Sequence, residues 1–290
     1  MAEVRITPKT KCRWAPTLGR LESTAELIWG TENYNPETDR DEPCVFFGLY
    51  GLPDFYALWR HRGKKWILWA GTDITHFKNG YWLDDSEWGA KIPSLPLADW
   101  INRNCESWVE NELEQMALEK LGIESRVCPS FLADINQFNV NYEWNERPKV
   151  YTSVSGDNFD LYGWHKISEL AEQNPNLEFH LYGTEKDFIT IFGIDGTKIN
   201  MISHGRISKE QMNEETSKMQ GALRLTEFDG FSEILGKSIM WGQWPVSLIK
   251  YPYILSVDKI GTLKDKKEPN LVGREYYHQR FNNYPWNKTK

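Results

Sequence analysis

The sequence predicts an α/β protein of two Rossmann-like domains facing a cleft, and three observations carry that expectation. Short apolar runs alternate with segments of helical period along most of the chain. The rhythm restarts after a polar stretch, Asn139 to Pro148, which contains Asn-Glu-Arg-Pro and reads as a linker. At 290 residues the chain is long enough for two domains of ordinary size. The expected divisions are 1–145, 146–272 and a final helical segment, 273–290, packing back on the N-terminal domain.

In the first half, Val45 to Tyr50 is an apolar run closed by Gly51-Leu52-Pro53-Asp54. It reads as a buried strand followed by a helix start. Trp66 to Ala70 is a second buried strand, ending in Gly71-Thr72-Asp73. From Asn104 to Leu121, Trp108, Leu113, Met116, Ala117 and Leu121 recur at helical spacing, with Gly122 as the stop. Ile123 to Cys128 is a further strand. Residues 1–30 show no obvious first strand; either that part of the domain is trimmed, or the strand is Thr24 to Gly30.

In the second half, Lys149–Thr152, Leu177–Gly183, Ile199–His204, Ala222–Thr226 and Trp244–Ile249 read as strands. Gly163–Gln173, Ser208–Met219 and Ile234–Trp241 read as helices, with Ser208 and Gln211 spaced as a capping box. Gly273 to Phe281 is the final amphipathic helix.

Composition excludes several classes. A chain with 40% hydrophobic and 26% charged residues is not disordered. No apolar stretch approaches the roughly 20 residues of a membrane span, and the N-terminus lacks a signal pattern. Cys12, Cys44, Cys105 and Cys128 lack zinc-knuckle spacing, so reduced thiols and a cytoplasmic location are expected. The net charge of −7 divides into +5 over residues 250–290 and −12 before them. That acidity weighs against non-specific nucleic-acid binding. Of the 14 Trp, ten lie in residues 1–145.

The chemistry concentrates between Gly205 and Val246. A strand ending at His204 gives way to Gly205-Arg206-Ile207-Ser208. A second strand, with Arg224 inside its otherwise apolar run, delivers acids to its end, Glu227 among them, and Asp229-Gly230-Phe231-Ser232-Glu233 then opens a helix. Backbone N–H groups at such a start, helped by the helix dipole, suit a diphosphate, and Asp229 is placed to accept hydrogen bonds from sugar hydroxyls.

These pieces, followed by Gly242-Gln243-Trp244-Pro245-Val246, resemble the C-terminal domain of GT-B glycosyltransferases. The nearest pattern is that of glycosyltransferase family 4. Asp229 falls on the first acid of that pattern, Gly230 and Phe231 on its Gly-Phe, and Gly242 on the later Gly. In the first half the resemblance rests on Gly71-Thr72-Asp73 and on Asn111-Glu112-Leu113 through Pro129. It implies transfer of a sugar from a nucleotide donor such as a UDP- or GDP-sugar, with retention, without cofactor or metal, to a glycan or other cell-surface precursor. Two departures stand out. Lys237 occupies the place of the second acid, and Ser155-Gly156-Asp157-Asn158 replaces a phosphate-binding Arg/Lys pair. Arg206, Arg224 or Lys237 would then neutralise the phosphates.

On this reading Asp229, Asp73 and Glu227 are the catalytic candidates. Gly205, Arg206, Arg224, Gly230, Phe231, Ser232, Glu233 and Lys237 would bind the donor, and Tyr50, Gly51, Asp54, His76, Trp82 and Trp88 the acceptor. Plainer roles compete at each place. Asp73 acts on an acceptor hydroxyl or caps the next helix, and Arg224 reaches phosphate or pairs with an acid such as Asp229. Glu233 is a ligand or a dipole-favoured first-turn acid. Trp82, Trp88 and Trp100, read as lying in a polar loop, stack on acceptor or pack that loop. Gly19-Arg20 is a candidate for the donor-approaching loop of the first domain. Two other functions remain open: the same chemistry on a hydroxymethylated base in DNA, and a GT-B-fold protein that binds glycan or nucleotide without turnover.

Overall fold

The computed structural model describes residues 9–79, 94–194 and 200–287. The chain forms two compact units. The first is Met1–Ala133 with Phe228–Phe231 and Arg280–Lys290; the second is Asp134–Glu227 with Ser232–Gln279.

The first unit runs β1 (Lys11–Trp14), α1 (Glu22–Trp29), β2 (Glu32–Asn33), β3 (Cys44–Phe47), α2 (Leu52–Arg60), β4 (Lys65–Leu68), α3 (Thr72–Asn79), α4 (Ser94–Asn104), β5 (Glu106–Val109), α5 (Glu112–Glu119) and β6 (Ser125–Val127). Its six strands are parallel, in the order β2-β1-β3-β4-β5-β6. All four residues of β3 are buried, as a strand covered on both faces requires.

Three expectations are corrected here. The first strand exists as β1, whose Lys-Cys-Arg-Trp alternates half-buried and buried residues and so shows no apolar run. Thr24 to Gly30 is not a strand, because α1 runs through Trp29. The single helix expected over 104–121 is strand β5 followed by helix α5, with Asn111 capping the helix through the Glu114 amide.

The second unit runs β7 (Lys149–Ser153), α6 (Ile167–Gln173), β8 (Glu178–Tyr182), α7 (Phe188–Phe192), β9 (Met201–Ser203), α8 (Lys209–Thr216), β10 (Gly221–Arg224), α9 (Glu233–Met240), β11 (Val246–Ser247), β12 (Leu255–Ser256) and α10 (Leu271–His278). These strands are also parallel, in the order β12-β11-β10-β7-β8-β9. Ser208 and Gln211 form the expected capping box on α8.

The stretch read as a linker belongs to the second unit. The Asn141 amide bonds the Trp241 carbonyl, and the Trp144 indole bonds the Lys264 carbonyl at 3.0 Å. The final helix also stays in the second unit: Arg274 bonds the carbonyls of Met240 and Phe138 at 2.9 and 3.0 Å. Only the residues after it, from Arg280, join the first unit.

That returning segment explains much of the tryptophan excess. Tyr284 and Trp286, stacked with centroids 4.4 Å apart, complete an aromatic cluster with Trp14, Trp29, Phe47, Trp66 and Trp108. Trp69 lies in the separate cluster formed with Phe46, Phe77 and Ile101.

Candidate functional site

Doubly wound sheets bind ligands outside the carboxyl ends of their strands, where the strand order reverses. In the second unit the reversal falls between β7 and β10, because β8 and β9 extend one way and β11 and β12 the other. Read from β9, this is the 3-2-1-4-5-6 order of nucleotide-binding sheets.

The loops beyond these strands carry charge. Arg206, after β9, donates to Asp157 Oδ1 at 2.8 Å, and Lys186, after β8, lies 3.9 Å from the other oxygen. The Thr184 hydroxyl, then Arg206 and Lys186, hold Asp157 below the usual carboxylate range. Gly205 accepts from the Gly183 amide at 2.8 Å, and the Arg206 amide donates to Glu185 at 3.0 Å. The Arg224 guanidinium stands 4.3 Å over the Tyr162 ring.

Glu227 is exposed and bonds Lys166 at 2.6 Å, which keeps it ionised. It lies past the end of β10 and is counted with the second unit, whereas Asp229 is counted with the first. Lys237 donates to Asn213 and meets Glu233, each at 3.0 Å, and Lys209 lies 3.3 Å from the same Glu233 oxygen. Burial opposes ionisation of Glu233, but the two lysines hold it below the usual range. Ser232 is the N-cap residue of α9 and makes no side-chain capping bond.

The Asp229-Gly230-Phe231 turn is held by groups of the first unit. The Phe231 amide donates to Glu110 Oε2 at 2.7 Å, and Asn111 Nδ2 donates to the Asp229 carbonyl at 2.8 Å. A Cβ on Gly230 would overlap the Glu110 carboxylate, so this glycine makes room for a protein side chain. The Glu110 amide in turn donates to Glu114 at 2.7 Å. Burial first, with Asp229 and Asp73 nearby, pushes Glu110 up to about 8, while the Phe231 and Ser130 amides pull it down. Burial and Glu110 also raise Glu114 well above the usual range. Sequence reasoning missed Glu110 and Glu114. The available signal was Asn111 with Glu114 three residues on, a cap at the end of a buried strand.

The remaining candidates surround the carboxyl ends of β3 and β4. Asp73 is fully buried in the first turn of α3, and its oxygens accept from the Leu49 and Ala70 amides at 2.9 and 3.0 Å. Burial raises it to about 6 despite those bonds. With no exposed surface, it ties two loops together. Asp54 is likewise structural. One oxygen takes the Tyr50 and Gly51 amides, at 2.9 and 3.1 Å, and the other takes Arg13 at 2.7 Å. Tyr50 and the exposed His76 are brought together, edge to face, with centroids 5.8 Å apart. Trp100 lies on α4 against Phe55, not in a loop. Trp82 and Trp88 lie outside the described residues. Gly19 and Arg20 fall in a short 3-10 helix, Pro16–Leu21.

No protein-family model matches this sequence, and no curated protein matches it. Solved structures do match in fold. The lipopolysaccharide outer core galactosyltransferase WaaB is 11% identical, with a TM-score of 0.58 over 94% of this chain and 79% of that one. Anabaena HepE, solved with UDP and glucose, is 11% identical, with a TM-score of 0.56 over 94% and 96%. Sucrose-phosphate synthase from Thermosynechococcus elongatus is 12% identical, with a TM-score of 0.56 over 82% and 69%. The chain spans about half the length of some other matches, 52% of S. aureus TarM. Two parallel six-stranded α/β units give this chain the GT-B fold of these glycosyltransferases.

Proposed function

We propose that this chain is a glycosyltransferase of the family 4 type. It would move a sugar from a nucleotide-activated donor to a hydroxyl of a glycan or other cell-surface precursor, with retention and without a metal ion. The observation that carries this reading is the switch point of the second sheet. The loops beyond β8 and β9 hold Lys186 and Arg206, and Arg224 is the last residue of β10, on the side where sheets of this order take nucleotides. The barrier to glycosyl transfer lies in charge developing on the leaving diphosphate, and fixed cations and dipoles stabilise that charge. A diphosphate would compete with Asp157 for Arg206 and Lys186. Lys237, committed to Glu233 and Asn213, holds Glu233 in place at the start of α9. The fold shared with HepE, which was solved with UDP and glucose, supports the same reading.

Calorimetry and thermal shift against UDP, GDP, ADP and CMP and their sugars test the proposal. We expect one nucleoside diphosphate to bind, and Arg206→Ala to weaken it roughly tenfold or more, as loss of a charge-assisted contact does. Release of that diphosphate in the presence of glycan acceptors, undiminished by EDTA, completes the expected result. Failure of every nucleotide to bind would sink the reading. Binding without release across the acceptor panel would replace it with that of a binding protein.

A further inference from the structure

His180 and His204 lie in the second unit and have no part in the function proposed above. His180 is on β8 and His204 directly follows β9. Nδ1 of His180 and Nε2 of His204 are 2.8 Å apart, with the ring planes inclined by 23°. The far nitrogen of each ring faces a carboxylate. His180 Nε2 is 2.7 Å from Glu178 Oε1, and His204 Nδ1 is 3.1 Å from Glu215 Oε2 on α8. That Glu215 oxygen also accepts from the Tyr182 hydroxyl at 2.8 Å, and the Tyr182 ring stacks on His204 with centroids 4.3 Å apart. On β7, Lys149 lies 3.8 Å from Glu178, and the Tyr151 phenol is buried.

Counting hydrogens fixes the state of this chain of groups. Its three contacts, carboxylate to ring, ring to ring and ring to carboxylate, need one N–H each. A neutral imidazole carries one N–H, so two neutral rings supply two. Whatever their tautomers, one contact then sets a lone pair against a carboxylate or against another lone pair. Two imidazoliums supply four, and two N–H groups would meet head-on at the 2.8 Å contact. One added proton satisfies every contact. The geometry points to a single proton-binding site in which His180 and His204 share one imidazolium charge between Glu178 and Glu215, and whose deprotonation frees Glu215 on α8 from His204.

Exposure decides which contact is lost. The side chains of His180 and Glu178 are 6% and 17% exposed, against 22% and 42% for His204 and Glu215. When the proton leaves for solvent, His180 keeps its N–H on Glu178 and His204 turns its remaining N–H to His180. The bare His204 Nδ1 then repels Glu215, which water can solvate. Burial pushes each ring below the usual histidine range while its carboxylate pulls the other way, which disfavours a second charge on the pair. Gly205 and Arg206 follow His204 directly, so the proton is held beside the turn that carries them.

Ring-nitrogen NMR of 15N-histidine-labelled protein from about pH 5 to 9 tests the inference without reference to activity. Both rings should move together in one transition that accounts for one proton. Glu215→Gln puts an amide N–H opposite His204 Nδ1, so two neutral rings would then satisfy every contact. Its midpoint should fall by about one pH unit, a roughly tenfold loss of proton affinity. Glu215 is exposed enough for this substitution to leave the fold intact. Separate transitions for the two rings, rings neutral throughout, or an unchanged midpoint in Glu215→Gln would each overturn the shared-proton site.

Discussion

Glu110 places a buried carboxyl beside the acidic turn of the candidate site. One oxygen takes the Phe231 amide, and the other makes no hydrogen bond of good geometry. Its titration in the folded chain is raised to about 8 by burial and by neighbouring acids, whereas an unfolded chain loses this proton at roughly 4.3. The sign follows directly. Stability tied to Glu110 is fully present below the unfolded value and is lost as pH rises through the folded one. Asp73 adds a smaller contribution of the same sign, lost by about 6. We expect the urea midpoint of the native protein to fall between about pH 5 and 8 by more than that of Glu110→Gln. The variant keeps an acceptor for the Phe231 amide and has no proton to lose. The difference should be on the order of a few kcal/mol, and parallel pH profiles would remove Glu110 from the linkage. None of this was legible in the sequence, where Glu110 is one of 41 acids. Asp229 and Gly230 were legible because turn chemistry is local, but the carboxylate that Gly230 makes room for comes from a distant strand end.

At the scale of elements, the buried strands could be read because a parallel strand covered on both faces must be a short apolar run. β3 and β4 fit that rule, whereas β8, Glu-Phe-His-Leu-Tyr, is legible from its alternation at a strand's period of two. β1 and β5 escaped it for opposite reasons. Lys11 and Arg13 break the apolar run of β1, and Trp108 on β5 falls in helical register with α5. The turn between β4 and α3 offers a prediction at this scale. Gly71 has φ +85°, and a Cβ there would stand 3.0 Å from the Gly230 amide nitrogen, pressing on the acidic turn. Gly30 has a similar φ, +66°, with open space around it. Both Gly71→Ala and Gly30→Ala should lose about 1–2 kcal/mol from the left-handed backbone alone. On the proposed function, in which the Asp229 turn contacts the donor sugar, only Gly71→Ala should also slow transfer, by roughly tenfold, because a small misplacement at a reacting centre is costly. Equal transfer rates in the two variants, measured at matched folded fraction, would separate Gly71 from the site.

At the scale of the whole molecule, two α/β units were legible because each repeats a local rhythm, but their membership was not. Phe228–Phe231 and Arg280–Lys290 join the first unit from far along the chain, and no local pattern announces such a return. The indole of Trp29 bonds Asn282 across 253 positions of sequence, and Asn282 also exchanges bonds with the Phe131 amide and carbonyl. Trp286, 2% exposed, packs edge-on against Trp29 and Trp108 and stacks on Tyr284. The first unit's core is thus closed by residues that follow the whole second unit in sequence, so its stability depends on a loop of great length being shut. Trp286→Ala should cost about 3–5 kcal/mol, the usual range for truncating a buried aromatic. The loss should fall on one unit. Hydrogen exchange read by mass spectrometry should speed up across β1, β3 and β4 and stay unchanged across β7 and β8. Faster exchange of equal size in both sheets would show that the two units unfold as one, and unchanged exchange in the first would show that the returning segment does not close its core.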